Sequence, residues 1–259
     1  MNATWFNTLN ALGISILLSW ELRASVFRRV LRDPRRMRRN LAFLALNVSV
    51  ALLLHQSTGY LHAVLPRLHW QAPLWLQLPV VFMLAELFNW ALHRAKHQNE
   101  FLWRLHCQHH REDQYSVWLV THTYGPEVLL SGSVMAAALI ALGFSKLALD
   151  CYLRFYSFVN LYQHSGLPHS LGVLDRLIVN PAFHRQHHSG AQVNFGSTLT
   201  VWDWVFRSAR WPSSRRDLPS PPPLGSSPEP FGFVAEMLYP LRPSRWVSSR
   251  PLAPRSLGE

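Results

Sequence analysis

Three clusters of histidines, set apart by long apolar runs, constrain this chain more than any other feature. His93 and His97 form an HxxxH pattern. His106, His109 and His110 form HxxHH, and His184, His187 and His188 repeat it. With 14 histidines in 259 residues, chance would place HxxHH about 0.04 times in such a chain, so two copies stand well above ordinary motif noise. Helical residues four apart share a face, with Cβ atoms about 5–6 Å apart. Each HxxHH is therefore expected to offer three imidazoles on one face. Eight imidazoles exceed the four ligands of a zinc site and suit two metal ions with open positions. Ligand type does not choose among Fe, Zn, Cu and Ni. Without metal, so many clustered rings would repel once protonated. Cys107 and Cys151 are the only cysteines and form no CxxC pair, so the histidines must carry any metal chemistry.

The apolar runs decide where such a site can lie. Residues 41–64 are long enough to cross a bilayer, which takes about 20 residues. A loop with Pro66 and Pro73 follows, edged by Trp70 and Trp75 as interfacial aromatics are. Residues 76–92 return and end in the basic, histidine-rich stretch 93–111. Residues 128–144 and 147–161 are two limbs of about 16 residues around Ser145 and Lys146. They read as a hairpin that dips into the membrane and returns, leaving the histidines before and after it on one side. Residues 5–22 are a shorter apolar run, either a spanning helix with its N-terminus outside or an interfacial amphipathic helix. They are followed, not preceded, by basic residues, unlike a secretory signal.

Charge gives the orientation. Eight arginines lie between Arg23 and Arg39, which the positive-inside rule places in the cytoplasm as a loop. Charged residues make up only 15% of the chain, against about 25% in soluble domains, which argues against both a soluble enzyme and a disordered chain. The net charge of +11 comes from 23 arginines and two lysines against 14 acidic residues. It sits between and beyond the apolar runs, so it fits a membrane surface and not nucleic acid, which would need a basic, aromatic-laced soluble face. The expected fold is all-α: a multi-pass transmembrane helical bundle with a cytoplasmic, histidine-lined di-metal cap. Beyond Trp211 the chain holds 11 of its 18 prolines and reads as a poorly ordered tail. His55, His62 and His69 lie on the spans or the outer loop and read as ordinary structural histidines.

The motifs and their surroundings resemble the fatty acid hydroxylase / sterol desaturase superfamily, from about residue 76 to 207. Phe101-Leu102-Trp103-Arg104-Leu105-His106 is similar to the family's LWRxHxxHH, and Gln163-His164-Ser165-Gly166-Leu167-Pro168 to QHxNxxLP. Val179-Asn180-Pro181-Ala182-Phe183-His184 is similar to VTPxxHRxHHS. Asn194-Phe195-Gly196 and Trp202-Asp203-Trp204-Val205-Phe206 resemble NYG and WDxLFGT. There are departures: Arg207-Ser208 replaces Gly-Thr, and the family's HPxE is stretched to His122–Glu127.

The resemblance implies a membrane-bound, non-haem di-iron oxidoreductase that uses O2 to hydroxylate or desaturate a lipid or sterol C–H bond. It adds His164 as a ninth candidate ligand beside His93, His97, His106, His109, His110, His184, His187 and His188. His122 stands between a ligand and an outer role, and His169 falls at a variable position. Glu86, where the family often has Asp, is a carboxylate inside an apolar helix and must face the bundle. It reads as an acceptor for a ligand imidazole, a structural contact to another helix, or a ligand. The implied cofactor is two irons per chain, with zinc able to co-purify. The implied partners are membrane lipids and a cytoplasmic electron donor, cytochrome b5-like or ferredoxin-like with a reductase, because no dinucleotide fingerprint is present. The membrane is the plasma membrane if the source is bacterial and the endoplasmic reticulum if it is eukaryotic. Three divisions follow: 1–74 with the N-terminal helices and basic loop, 75–211 as the hydroxylase-like catalytic domain, and the tail 212–259. The rival is a non-catalytic metal-binding or metal-transporting membrane protein, which would place polar ligands on broken helices near the midplane.

Overall fold

The computed structural model describes residues 3–68, 72–112, 114–167, 170–189, 192–211 and 232–241. The fold is all-helical, and its described residues form no β-strand, only one isolated bridge between Ile178 and Leu199. In chain order the α-helices are α1 (Ala3–Glu21), α2 (Ser25–Arg32), α3 (Pro34–Val64), α4 (Leu74–Gln98), α5 (Glu100–Arg111), α6 (Gly125–Ala141), α7 (Lys146–Gln163), α8 (Pro181–His188), α9 (Val201–Val205) and α10 (Phe233–Leu238).

The arginine-rich segment differs from the expected loop. Ser25–Arg32 is helical, and α3 begins at Pro34, so Arg35 to Arg39 form its first turns. The reason is local. Asp33 caps the helix by accepting from Arg35 N and Arg36 N, and Pro34 follows it at the first helical position, where a missing N–H costs nothing.

Helices α3 (31 residues) and α4 (25 residues) are long and apolar enough to cross a membrane. At 1.5 Å per residue they reach about 46 and 38 Å, beyond the roughly 30 Å of a hydrocarbon core. The limbs of the expected hairpin are α6, of 17 residues, and α7, of 18; α7 carries Asp150 and Arg154.

Helix α3 lies along α6, and α4 along α5 and α7. Small residues permit the first approach. A Cβ on Gly132 would stand 2.9 Å from Leu54 Cδ2, and one on Gly125 3.2 Å from Leu46. Between α4, α6 and α7 lies the main core, with Val81, Ala85, Met135, Ile140, Leu149 and Tyr152. The outer faces stay apolar: Leu52 on α3 is 59% exposed, Trp75 on α4 73% and Leu130 on α6 67%. Exposed apolar area on this scale marks a lipid-facing or binding surface.

The two ends of the bundle differ. At one end Leu68 N donates to Ala141 O at 3.0 Å, and Ser145 N donates to Gln77 Oε1 at 2.9 Å. The α3–α4 loop and the α6–α7 turn therefore lie together. The histidine clusters fall at the opposite end, on the last turns of α4 and on α5 and α8. Part of the expected tail is ordered there. Glu236 on α10 accepts from Arg39 at 3.2 Å, and the Arg111 guanidinium lies 4.4 Å from the centre of the buried Tyr239 ring. Tail residues 212–231 and 242–259 are outside the described residues.

Candidate metal centre

Asn99 breaks the chain between α4 and α5 and caps α5 by accepting from Leu102 N. Asn180 caps α8 through Phe183 N, with Pro181 at the first helical position. These caps aim the three histidine boxes at one another.

Nine imidazoles gather into two groups, each with its nitrogens within 4.8 Å of one another. One group holds His93, His97, His106, His110 and His187. The other holds His109, His164, His184 and His188. Each HxxHH box is divided between them, which corrects the expectation of three imidazoles on one face. At 100° per residue, positions i+3 and i+4 point about 100° apart. The i, i+4 pair of one box thus joins the i+3 ring of the other: His106 and His110 with His187, and His184 and His188 with His109. The groups abut, with the His110 and His188 rings stacked at 4.3 Å.

Backbone carbonyls orient the rings. His93 Nδ1 lies 2.9 Å from Phe195 O, His164 Nδ1 2.7 Å from Asn160 O, His187 Nδ1 2.8 Å from Val193 O, and His109 Nδ1 3.2 Å from Leu119 O. A proton on each Nδ1 leaves Nε2 as a bare lone pair, the form a metal ligand needs. Burial keeps these rings neutral. It lowers the His164 and His187 pKa values to about 4 and holds those of His106, His109, His110, His184 and His188 well below the usual imidazole range. Neighbouring histidines add to the effect for most of them.

The nitrogens fit a metal. His109 Nε2 and His164 Nε2 face each other at 3.2 Å, although both rings use Nδ1 as donor. Two lone pairs at that distance repel unless a cation lies between them. His184 and His164 Nε2 are 3.0 Å apart, His188 and His184 3.1 Å, His187 and His110 3.2 Å, and His110 and His106 3.1 Å. Two nitrogens each about 2.1 Å from one ion stand about 3.0 Å apart when at right angles to it. His93 Nε2 and both His97 nitrogens are buried without a hydrogen-bond partner.

Other candidates are placed elsewhere. Glu86 reaches no imidazole. Its carboxylate accepts from Tyr152 Oη at 2.7 Å and from Thr198 N and Leu199 N at 2.8 and 3.0 Å. It shares a face with His93 but lies two turns away, about 10 Å along the axis, and of the three roles read for it these partners fit the structural contact to another helix. His122 is buried outside both groups, with Nε2 2.8 Å from Asn40 Oδ1 and Nδ1 3.5 Å from Glu112 Oε2. Glu112 also pairs with Arg36 and Arg39. His55 and His62 stand on α3 away from the site, and His69 and His169 are outside the described residues.

The rings are held in part by residues of the NYG-like and WDxLFGT-like segments, to which the sequence assigned no role, and in part by Glu21, which lies in no motif. Asp203 accepts from Trp90 Nε1, Phe195 N, Gly196 N and Ser208 Oγ at 2.6–3.0 Å, which pins the loop whose Phe195 carbonyl holds His93. Glu21, fully buried at the end of α1, accepts from Ser165 Oγ at 2.7 Å and Gly166 N at 2.9 Å, steadying the turn after His164. The signal for Glu21 was a carboxylate closing an apolar run. Gly196 has no room for a side chain: a Cβ would stand 2.5 Å from Leu199 O and 2.9 Å from Asp203 Oδ2. Gly196→Ala is therefore expected to cost about 1–3 kcal/mol, as overpacking does, and to lower metal content. Thermal unfolding and metal analysis in detergent check this; if both are unchanged, the loop does not orient His93.

A cavity of about 140 Å³ opens beside the rings. His93, His106, His109, His164 and His184 line it, with apolar Leu92, Leu105, Val120 and Val128 and polar Asn89, Lys96, Glu127 and Gln163. Lys96 and Glu127 pair at 2.9 Å.

Comparison with known proteins finds similar chains. The ornithine lipid hydroxylase OlsE of Rhizobium tropici is 26% identical over 176 residues, covering 66% of this chain and 52% of that protein. The alkylglycerol monooxygenase of Homo sapiens is 27% identical over 125 residues, covering 44% of this chain and 26% of that protein. That of Caenorhabditis elegans is 25% identical over 158 residues, covering 54% and 28%. The chain thus spans about half of the first relative and less of the others. No solved structure matches it. The family model described as Fatty acid hydroxylase matches residues 78–208, half of the chain, and the chain belongs to the fatty acid hydroxylase family.

Proposed function

We propose that the protein is a membrane-bound, non-haem di-iron oxidoreductase that uses O2 to hydroxylate a C–H bond of a lipid or sterol. The observation that carries this reading is the pair of facing imidazole groups beside a half-apolar cavity. Bound iron would supply O2 reduction and hydrogen abstraction from an unactivated C–H bond. His93, His97, His106, His110 and His187 would hold one ion, and His109, His164, His184 and His188 the other. The chain's own contribution is positioning. Backbone carbonyls fix the ring tautomers, Leu92, Leu105, Val120 and Val128 exclude water, and the cavity wall presents the target carbon to the rings. Family membership and relatives named as a hydroxylase and monooxygenases favour hydroxylation over desaturation.

The site belongs at the cytoplasmic ends of a multi-pass bundle, where an amphiphile can enter from the inner leaflet. A cytoplasmic donor, cytochrome b5-like or ferredoxin-like with a reductase, would supply electrons. The helix-end ligands lie beside Arg94, Arg104, Arg111 and Arg185, which speaks against transport of metal through the midplane.

Purified protein is expected to hold two metals per chain, with iron in the active form and zinc as a competitor, because nitrogen sites bind Zn(II) more tightly than Fe(II). Elemental analysis giving at most one metal per chain, or turnover with zinc alone, would sink the di-iron reading. Lipid extracts from a host with and without the gene should differ by a species one oxygen heavier.

A further inference from the structure

Two amide side chains in the cavity wall keep an acceptor with no donor to meet it. Asn89 precedes His93 by one turn on the same face of α4. Its Nδ2 donates to Tyr152 Oη at 2.7 Å, and Tyr152 donates its proton to Glu86 Oε1 at 2.7 Å. The other Glu86 oxygen is taken by Thr198 N and Leu199 N. Donation thus runs one way, toward the carboxylate, and Asn89 Oδ1 is left over as an acceptor. Gln163, beside His164, repeats the pattern. Its Nε2 donates to Asn160 Oδ1 at 3.0 Å, while Oε1 is buried and unpartnered in a residue only 3% exposed. Both residues line the cavity together with His93 and His164. Elsewhere on the polar wall Lys96 pairs with Glu127, Ser131 Oγ donates to Val128 O and Thr123 Oγ1 donates to Asn47 Oδ1, while Tyr124, Tyr156, Asn160 and Ser197 complete the lining.

Gln163 Oε1 is a buried oxygen without a donor, which is costly, and Asn89 Oδ1 on the same wall is an open acceptor, so a ligand that brings a donor is favoured over a ligand that does not. A site built to meet a substrate N–H or O–H rejects analogues lacking it far more strongly than an apolar pocket rejects a missing methylene. We propose that Asn89 and Gln163 bind the substrate, and that the substrate is an amphiphile with a hydrogen-bond donor, an amide N–H or a hydroxyl, close to the carbon attacked. This rests on the oxygenase reading of the same site.

The test is a binding competition on the full-length, iron-loaded protein in detergent, read by native mass spectrometry. The probes are N-methyldodecanamide and methyl dodecanoate at equal concentration, which differ by an N–H in place of an ester oxygen. The amide is expected to win about tenfold, or about 1.4 kcal/mol. Asn89→Asp and Gln163→Glu, which keep acceptor oxygens, should preserve that ratio. Asn89→Leu and Gln163→Leu should bring it toward one with metal content unchanged. A wild-type ratio near one overturns the proposal whatever the variants do, including variants that lose metal. So does a ratio undiminished in both leucine variants. A protein that prefers the amide yet oxidises no lipid would refute the oxygenase reading and leave only the binding role of Asn89 and Gln163.

Discussion

Replacing His109, His164, His184 or His188 by alanine is expected to abolish turnover and to leave about one metal per chain instead of two. These four rings form the smaller group, so one loss leaves three nitrogens. His93→Ala, His97→Ala, His106→Ala, His110→Ala and His187→Ala should abolish turnover as well. They remove one of five rings, and their metal loss should be milder. Activity should fall at least about 100-fold in every case, the upper end of what outer-shell partners cost. His62→Ala should keep most activity, because that ring meets Arg67 at 3.1 Å on the far part of α3, as should His55→Ala. The split within each box is the sharper part of the test. His109→Ala and His110→Ala change neighbouring residues but should deplete different ions. Identical metal loss in the two would show that the groups do not act as separate sites. Retention of more than about a tenth of activity in His187→Ala, roughly 1.4 kcal/mol of barrier, would remove it from the ligand set.

Topology carries the second large effect, since a shared centre requires all the boxes on one side of the membrane. In a background lacking Cys107 and Cys151, cysteines at Leu68 and Leu142 are expected to react with a membrane-impermeant thiol reagent in intact cells. Those at Glu100 and Arg176 should react only after permeabilisation. All four positions are exposed, so access to the reagent, not burial, decides the result. Ser116 would be a poor choice because it is fully buried. The helical ends already pair as this topology needs, with Leu68 bonded to Ala141. Labelling of position 176 but not 100 in intact cells would put α5 and α8 on opposite faces, and the oxygenase reading would fall with it.

Much of this was legible from local pattern. The apolar runs foretold the positions of α3, α4, α6 and α7 because backbone groups in an apolar setting must satisfy one another, and a helix does so within one segment. The HxxxH and HxxHH spacings foretold clustered rings because the helical period is fixed by the backbone. The Asp33-Pro34 start of α3 was equally local, a cap followed by proline, yet the density of arginines there read as a loop. The Pro-rich composition hid α10, whose place depends on a distant partner, Arg39.

What tertiary structure alone decided is which ring goes with which. The i, i+4 pair of one box joins the i+3 ring of the other only because α5 and α8 approach each other with their boxes crossed, and no spacing within either box records that approach. His164 reaches its group through the turn that Glu21 holds from 143 residues away in sequence. Glu86 satisfies backbone amides of a loop more than a hundred residues downstream, which no spacing around it could choose from among the three roles open to it. Periodicity is a property of neighbours along the chain, so it specified the helices and the segments on which the histidines cluster. Partner choice is a property of packing, so Glu86, His122, Asp203 and the division of the histidines were settled only when the helices met.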